Sequence, residues 1–202
     1  EGIIDNYPIQ SSFLASIRFP KNSIRQISGA WDTIEHTVMG ELITLNTIEH
    51  GILRVTFNEP RIHMALNCAS MGCPPLGAEP FSGERLDSQL DDQTKRFLRN
   101  KGNFRIDRQR NRVYLSSIFS WFGKDFVSSY GAGRVAARLG KNERAVVDFV
   151  SRSLEENETV YLKTGDYGVK YGSYDWNLNE QTYQEQRLRN QGGSGYRGSD
   201  RR

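Results

Sequence analysis

The sequence predicts an α+β fold: one domain, a mixed sheet and flanking helices. Three observations predict it. "GERLDSQLDDQTKRFLRN" (83–100) and "NERAVVDFVSRSLEEN" (142–157) carry apolar residues at helical spacing. "WDTIEHTVMGELITL" (31–45) and "FRIDRQRNRVYLS" (104–116) are short apolar-polar stretches around turn residues, the spelling of hairpins. The two kinds mix along the chain without the strict alternation of a parallel βαβ protein, and that separates α+β from α/β.

Taken in order, residues 1–30 spell the end of a helix followed by an irregular stretch of Pro, Ser and small apolar pairs. In 31–45, Ile34, His36 and Val38 alternate before a turn at Gly40. "NTIEHGILRVTF" (46–57) predicts a helix, with Asn46 as cap, Glu49 completing a capping box, and Leu45, Ile48, Ile52 and Leu53 on one face. "RIHMALNC" (61–68) follows Pro60 as a short apolar run and predicts a buried strand; "ASMGCPPLGAEP" is a loop because Gly72, Pro74 and Pro75 exclude regular structure. The 83–100 helix is expected to turn Leu86, Leu90, Phe97 and Leu98 inward. "SIFSWFGKDFV" (117–127) predicts a short aromatic helix, and "TVYLKTGDYGVKYGSYDWNLN" (159–179) closing strands. From 180 the chain is Gln, Arg, Gly and Ser, a composition that cannot bury enough apolar area to order itself, so 180–202 is expected to be a disordered basic tail.

Composition excludes several classes. Hydrophobic residues are 37% and aromatics 11%, enough for a core, and no run approaches the roughly 20 apolar residues of a membrane span. Net charge is +3, but the tail holds five Arg against Glu180, Glu185 and Asp200, leaving 22 basic and 21 acidic groups in the body. A near-neutral body argues against nucleic acid on the folded domain, because phosphate affinity needs clustered cations. The expected partner is a small-molecule or peptide ligand, with no cofactor.

Chemistry is concentrated in one place. His36, His50, His63, Cys68 and Cys73 are all the histidines and cysteines of the 202 residues, and all lie between 36 and 73. Two cysteines do not make a disulfide framework, though a 68–73 bridge is sterically possible. A zinc site from His50, His63, Cys68 and Cys73 lacks the second matched pair that strong zinc motifs have, and no metal is expected.

"TLNTIEHGILR", "PRIHMALNCASMGCPPL", "LDSQLDDQTKRFL", "LSSIFSWFGKDF" and "YDWNLN" occur in this order. That set resembles the domain-of-unknown-function 547 family, found in bacteria and plants, over roughly residues 1–179. Members carry an "INAYNA"-like helix before the equivalent of "GIIDNYP"; this chain lacks it and begins without Met, so an N-terminal truncation is expected, with targeting (periplasmic or secreted among the options) not legible. The resemblance implies a fold related to papain-like and transglutaminase-like cysteine enzymes, with a Cys, a His and an acid as the site.

Those roles fall on Cys68, His63 and Glu49. Cys68 precedes Ala69 and Ser70, whose N–H groups at a turn could form an oxyanion hole; the alternative is a buried structural thiol. His63 is the base and His50 the spare, although five positions along a regular strand would put His63 and Cys68 on opposite faces. Asn67 could add an amide, Cys73 stabilises the loop by packing or by a bridge, and Trp176, with Trp121, Phe122 and Tyr174, could line a binding groove. The chemistry expected is that of a cysteine-dependent hydrolase or acyltransferase; the alternative is a non-catalytic binding module using the same pocket.

Overall fold

Seven consecutive residues, Ala145 to Ser151, are buried in the helix Lys141–Ser151, so beyond its exposed first turn this helix is enclosed on all sides by the core. This is seen in a computed structural model that describes residues 2–130, 136 and 138–180. Phe97, Phe119, Phe126 and Leu162 are all but inaccessible to solvent and pack with Val146, Val147 and Val150 of that helix into one core. The architecture is α+β, as the mixed pattern predicts.

Strands β1 (Glu35–Val38) and β2 (Glu41–Thr44) form an antiparallel hairpin, with His36 opposite Ile43. Met39 and Gly40 make its turn at positive φ, 54° and 89°, a geometry glycine adopts without cost. Strands β3 (Phe104–Asp107) and β4 (Arg112–Leu115) form the second hairpin, and β5 (Gly168–Tyr171) adds to β4 in parallel, giving a mixed three-stranded sheet in the order β3-β4-β5. Central β4 buries Val113 and Leu115. A parallel neighbour requires a long crossover, and the chain supplies it as the helices Ser117–Phe122, Lys141–Ser151 and Glu156–Thr164.

Several elements differ from the expectation. The chain at 61–68 is not a strand: Pro60–Met64 is a 3₁₀ helix with Pro at its start, capped by Glu59, whose side chain accepts from the Arg61 N–H. Proline is pre-organised for a first helical turn, and this outweighs the apolar run. At 46–57 the helix is a π segment, Thr47–Leu53, followed by Arg54–Thr56. Asn46 is already helical and makes no side-chain cap; Thr44 Oγ1 accepts from the Thr47 N–H at 3.1 Å instead, so the capping box does not form. In the helix Leu86–Arg99, Leu90, Phe97 and Leu98 are buried, but Leu86 is 42% exposed because it opens the first turn. The 142–157 pattern ends at Ser151, and Glu156–Thr164 is a second helix where closing strands were expected, stopped at Gly165 in the left-handed region. The expected tail lies outside the described residues beyond Glu180. Among the described residues no helix is long and apolar enough to cross a membrane.

Candidate functional site

His63 is placed by its neighbours. Met64 plugs into the core, and Arg61 binds Glu59, Asp87 and Asp91, each at 2.6 Å, tying the Pro60–Met64 turn to the helix Leu86–Arg99. These carboxylates raise the Arg61 pKa, so the clamp stays charged. Between them sits His63, its side chain 1% exposed.

The imidazole faces the segment 117–126. Ser116 caps the helix Ser117–Phe122 by accepting from the Ile118 N–H, and Phe122 at its end stacks on His63 with centroids 4.1 Å apart and planes 10° from parallel. The next turn, Gly123–Phe126, carries Asp125, whose Oδ2 lies 2.9 Å from His63 Nε2. Arg54 closes the group, donating from Nε and one terminal nitrogen to both oxygens of Asp125 at 2.7 and 2.9 Å. The Asp125 carboxyl is held below its ordinary range, chiefly by the Arg54 hydrogen bonds. An ionised carboxylate only accepts, so His63 carries its proton on Nε2 and keeps the Nδ1 lone pair. Burial lowers the His63 pKa, outweighing the opposing pull of Asp125, so the ring is neutral at pH 7.

That shift has a consequence for stability. The unfolded chain protonates His63 near pH 6.5 and the folded chain only below it, so between those points the unfolded state binds more protons and stability is lost as the pH is lowered. Urea unfolding from pH 7 downward should show this loss beginning near pH 6.5, with a slope of at most about 1.4 kcal/mol per pH unit from one proton. Replacing His63 by Asn should flatten it, and an unchanged slope would contradict the assignment.

Cys68 and Cys73 are joined in a disulfide, with Cα atoms 6.1 Å apart. Bridged sulfurs only accept, so the Cys68 N–H donates to Cys73 Sγ at 2.9 Å and the Tyr174 hydroxyl lies 3.2 and 3.1 Å from the two sulfurs. Gly72 permits this approach, since a Cβ there would meet the Tyr174 ring at 2.9 Å. The loop is hung on the C-terminal segment through Met71 N–H to Asn177 O and Gly72 N–H to Asp175 O. Asn67 organises it from within, accepting from the Ala69 N–H and donating to Pro74 O. The Ala69 N–H is therefore engaged at the turn, contrary to its expected place in an oxyanion hole.

A cleft of about 650 Å³ joins these parts, with Glu49, His50, His63, Asn67, Cys68 and Trp176 all on its wall. His63 and Cys68 reach one cleft because no regular strand connects them, which removes the parity objection. The carboxylate on His63, however, is Asp125 and not Glu49. Glu49 sits in the π segment, where the Arg54 N–H donates to its backbone carbonyl. His50 Nδ1 accepts from Arg54 at 2.9 Å, since a guanidinium only donates. Trp176 stacks on Trp121 at 6.0 Å and meets Tyr174 at 4.5 Å, forming an aromatic wall. Cys73 takes the bridge, one of the two roles spacing left open. Among the described residues no group of three or more His, Cys, Asp or Glu is placed to hold a metal ion.

Asp125 and Arg54 were not foreseen as site residues; Tyr174 was expected only as a groove-lining aromatic, and it does line the cleft. Asp125 alone had a signal: it is the only acid in 117–130, within a stretch that carries the resemblance. Arg54 has no comparable mark.

Residues 6–98 match the model of a family described as "Protein of unknown function, DUF547". The match spans His50, His63, Cys68 and Cys73, while Asp125 and Trp176 lie beyond it. No curated protein and no solved structure matches the chain.

Proposed function

We propose, from the site alone because the family that residues 6–98 match is described without a reaction, that the chain is a cysteine-dependent hydrolase or acyltransferase. The observation that carries this reading is a buried neutral imidazole, oriented by Asp125, in the wall of the cleft that Cys68 also lines. Reduction of the bridge by an external thiol, which is itself oxidised to a disulfide, frees Cys68 and Cys73. His63 Nδ1 then takes the Cys68 proton, and the thiolate adds to the carbonyl carbon of an ester or amide. The tetrahedral oxyanion collapses, the leaving group departs with the proton from His63, and a thioester remains. Water, or a second acceptor, deprotonated by His63, releases the acyl group and restores the thiol. The Cys68 N–H, released from Cys73 Sγ, is the donor we assign to the oxyanion. The reading takes the fold as papain- or transglutaminase-like; its support is the imidazole–carboxylate pair beside a cysteine at one cleft.

The test is thiol reactivity. After reduction with dithiothreitol and its removal, iodoacetamide at pH 6 should alkylate Cys68 faster than Cys73, because an ordinary thiol with pKa about 8.5 is almost wholly protonated there. Replacing His63 by Ala should remove the advantage, while replacing His50 should matter less. If Cys68 reacts no faster than Cys73, the enzyme reading fails. The second reading, a non-catalytic binding module, is favoured by the bridge itself, which holds Cys68 out of the thiol form while leaving the aromatic wall intact.

A further inference from the structure

Arg25 stands on the 3₁₀ turn Ile24–Gln26, where Ser23 Oγ accepts from its N–H and Gln26 is buried, bonded to Pro20 O at 2.9 Å. Its guanidinium carbon lies 4.5 Å from the Phe19 ring centroid, 5.3 Å from Trp31 and 5.1 Å from Trp176. Among the described residues these rings are its partners: the Arg25 side chain makes no hydrogen bond or ion pair. Rings hold a guanidinium by its faces and leave the N–H donors at its edge unused. The turn is fastened, the cation is orientated and, among the described residues, its donors are spare, on the wall of the cleft that holds Cys68.

We infer that the cleft takes an acyl substrate bearing a carboxylate, which docks on Arg25; this rests on the function proposed above and names its substrate class. The geometry links the two ends. Arg25 touches Trp176, Trp176 touches Tyr174, and the Tyr174 hydroxyl is 3.2 Å from Cys68 Sγ. A ligand anchored at Arg25 therefore lies along this aromatic wall with its acyl carbon toward the sulfur. Charge selects the anchoring group. Among the described residues lining the cleft, Arg25 is the only Lys or Arg and Glu49 the only carboxylate. One guanidinium fork matches one carboxylate in charge and in bidentate shape, whereas a phosphate dianion would leave charge uncompensated. Glu49 acts on Arg54 and Tyr174, at the reacting end, and repels an anion from binding in the reverse direction.

The carboxylate of a peptide could be its C-terminus or an acidic side chain, and binding distinguishes them. Three acetylated tripeptides of the same apolar sequence serve as probes: one with a free C-terminus, one amidated with a Glu in place of one residue, and one amidated without any acid. Calorimetric titration into the full chain, with the bridge intact, should give one of the acids about tenfold tighter binding than the neutral amide, as a charge-assisted pair requires. The tighter acid identifies the source. Arg25→Gln should erase the preference, and Arg25→Lys should retain only part of it because the fork is lost. Equal binding of acid and amide, no binding of any probe to the native chain, or a preference that survives in Arg25→Gln would each overturn the inference. None of these readings depends on thiol chemistry, so an inert Cys68 would defeat the proposed reaction and leave this result standing.

Discussion

Replacing Asp125 by Asn is expected to slow alkylation of reduced Cys68 at pH 6 by about 10²-fold or more, the scale on which positioned general bases act. The reason is specific to the arrangement. Asp125 fixes the His63 proton on Nε2 and neutralises Arg54, which would otherwise repel a proton arriving on the imidazole. An amide offers one weaker acceptor and places its NH₂ against a guanidinium or an imidazole N–H. The chain should also lose about 2 kcal/mol of stability: hydrogen bonds to charged groups contribute about 1.5–3 kcal/mol. The lower part of that range applies because Arg54 and Asp125 are 29% and 25% exposed and water screens them. Urea unfolding beside the alkylation rate separates the two effects. A variant that unfolds like the native chain and reacts as fast would remove Asp125 from the site.

Phe126→Ala should be the most damaging single change to the fold, at about 3–5 kcal/mol, the cost of truncating a buried aromatic. Phe126 is 0% exposed, with its ring centroid 4.8 Å from Phe149, 5.7 Å from Phe119 and 6.2 Å from His63. It follows Asp125 directly, so the same residue seats the carboxylate-bearing turn in the core. For a chain of this size the loss corresponds to a fall in Tm of about 10 °C, measurable by circular dichroism. A fall of only a degree or two would show that the turn is not anchored through this ring.

Much of the framework was legible where interactions are local. The two hairpins formed because turn residues separate short alternating runs, and Leu90, Phe97 and Leu98 line one face of the 86–99 helix as their spacing required. At 61–68 the same method failed, because a short apolar run suits a strand and a buried turn equally. Pro60 and Glu59 held the deciding information, the first by its fixed φ and the second as a cap. The resemblance put the acidic role on Glu49; the π segment carries that residue, and the imidazole is bonded to Asp125 instead.

By itself the sequence determined where chemistry could arise, because histidine and cysteine occur only between 36 and 73, and it determined which helix faces and turns would form. Only the tertiary structure decided the pairings. Asp125 reaches His63 across 62 residues and Tyr174 reaches Cys68 across 106; Arg25 meets Trp176 from the other end of the chain. The physical reason is range. Backbone propensity, capping and hydrophobic period act over a few residues and are written locally, whereas the partner of a buried polar group is whichever complementary group the packed core brings within hydrogen-bonding distance.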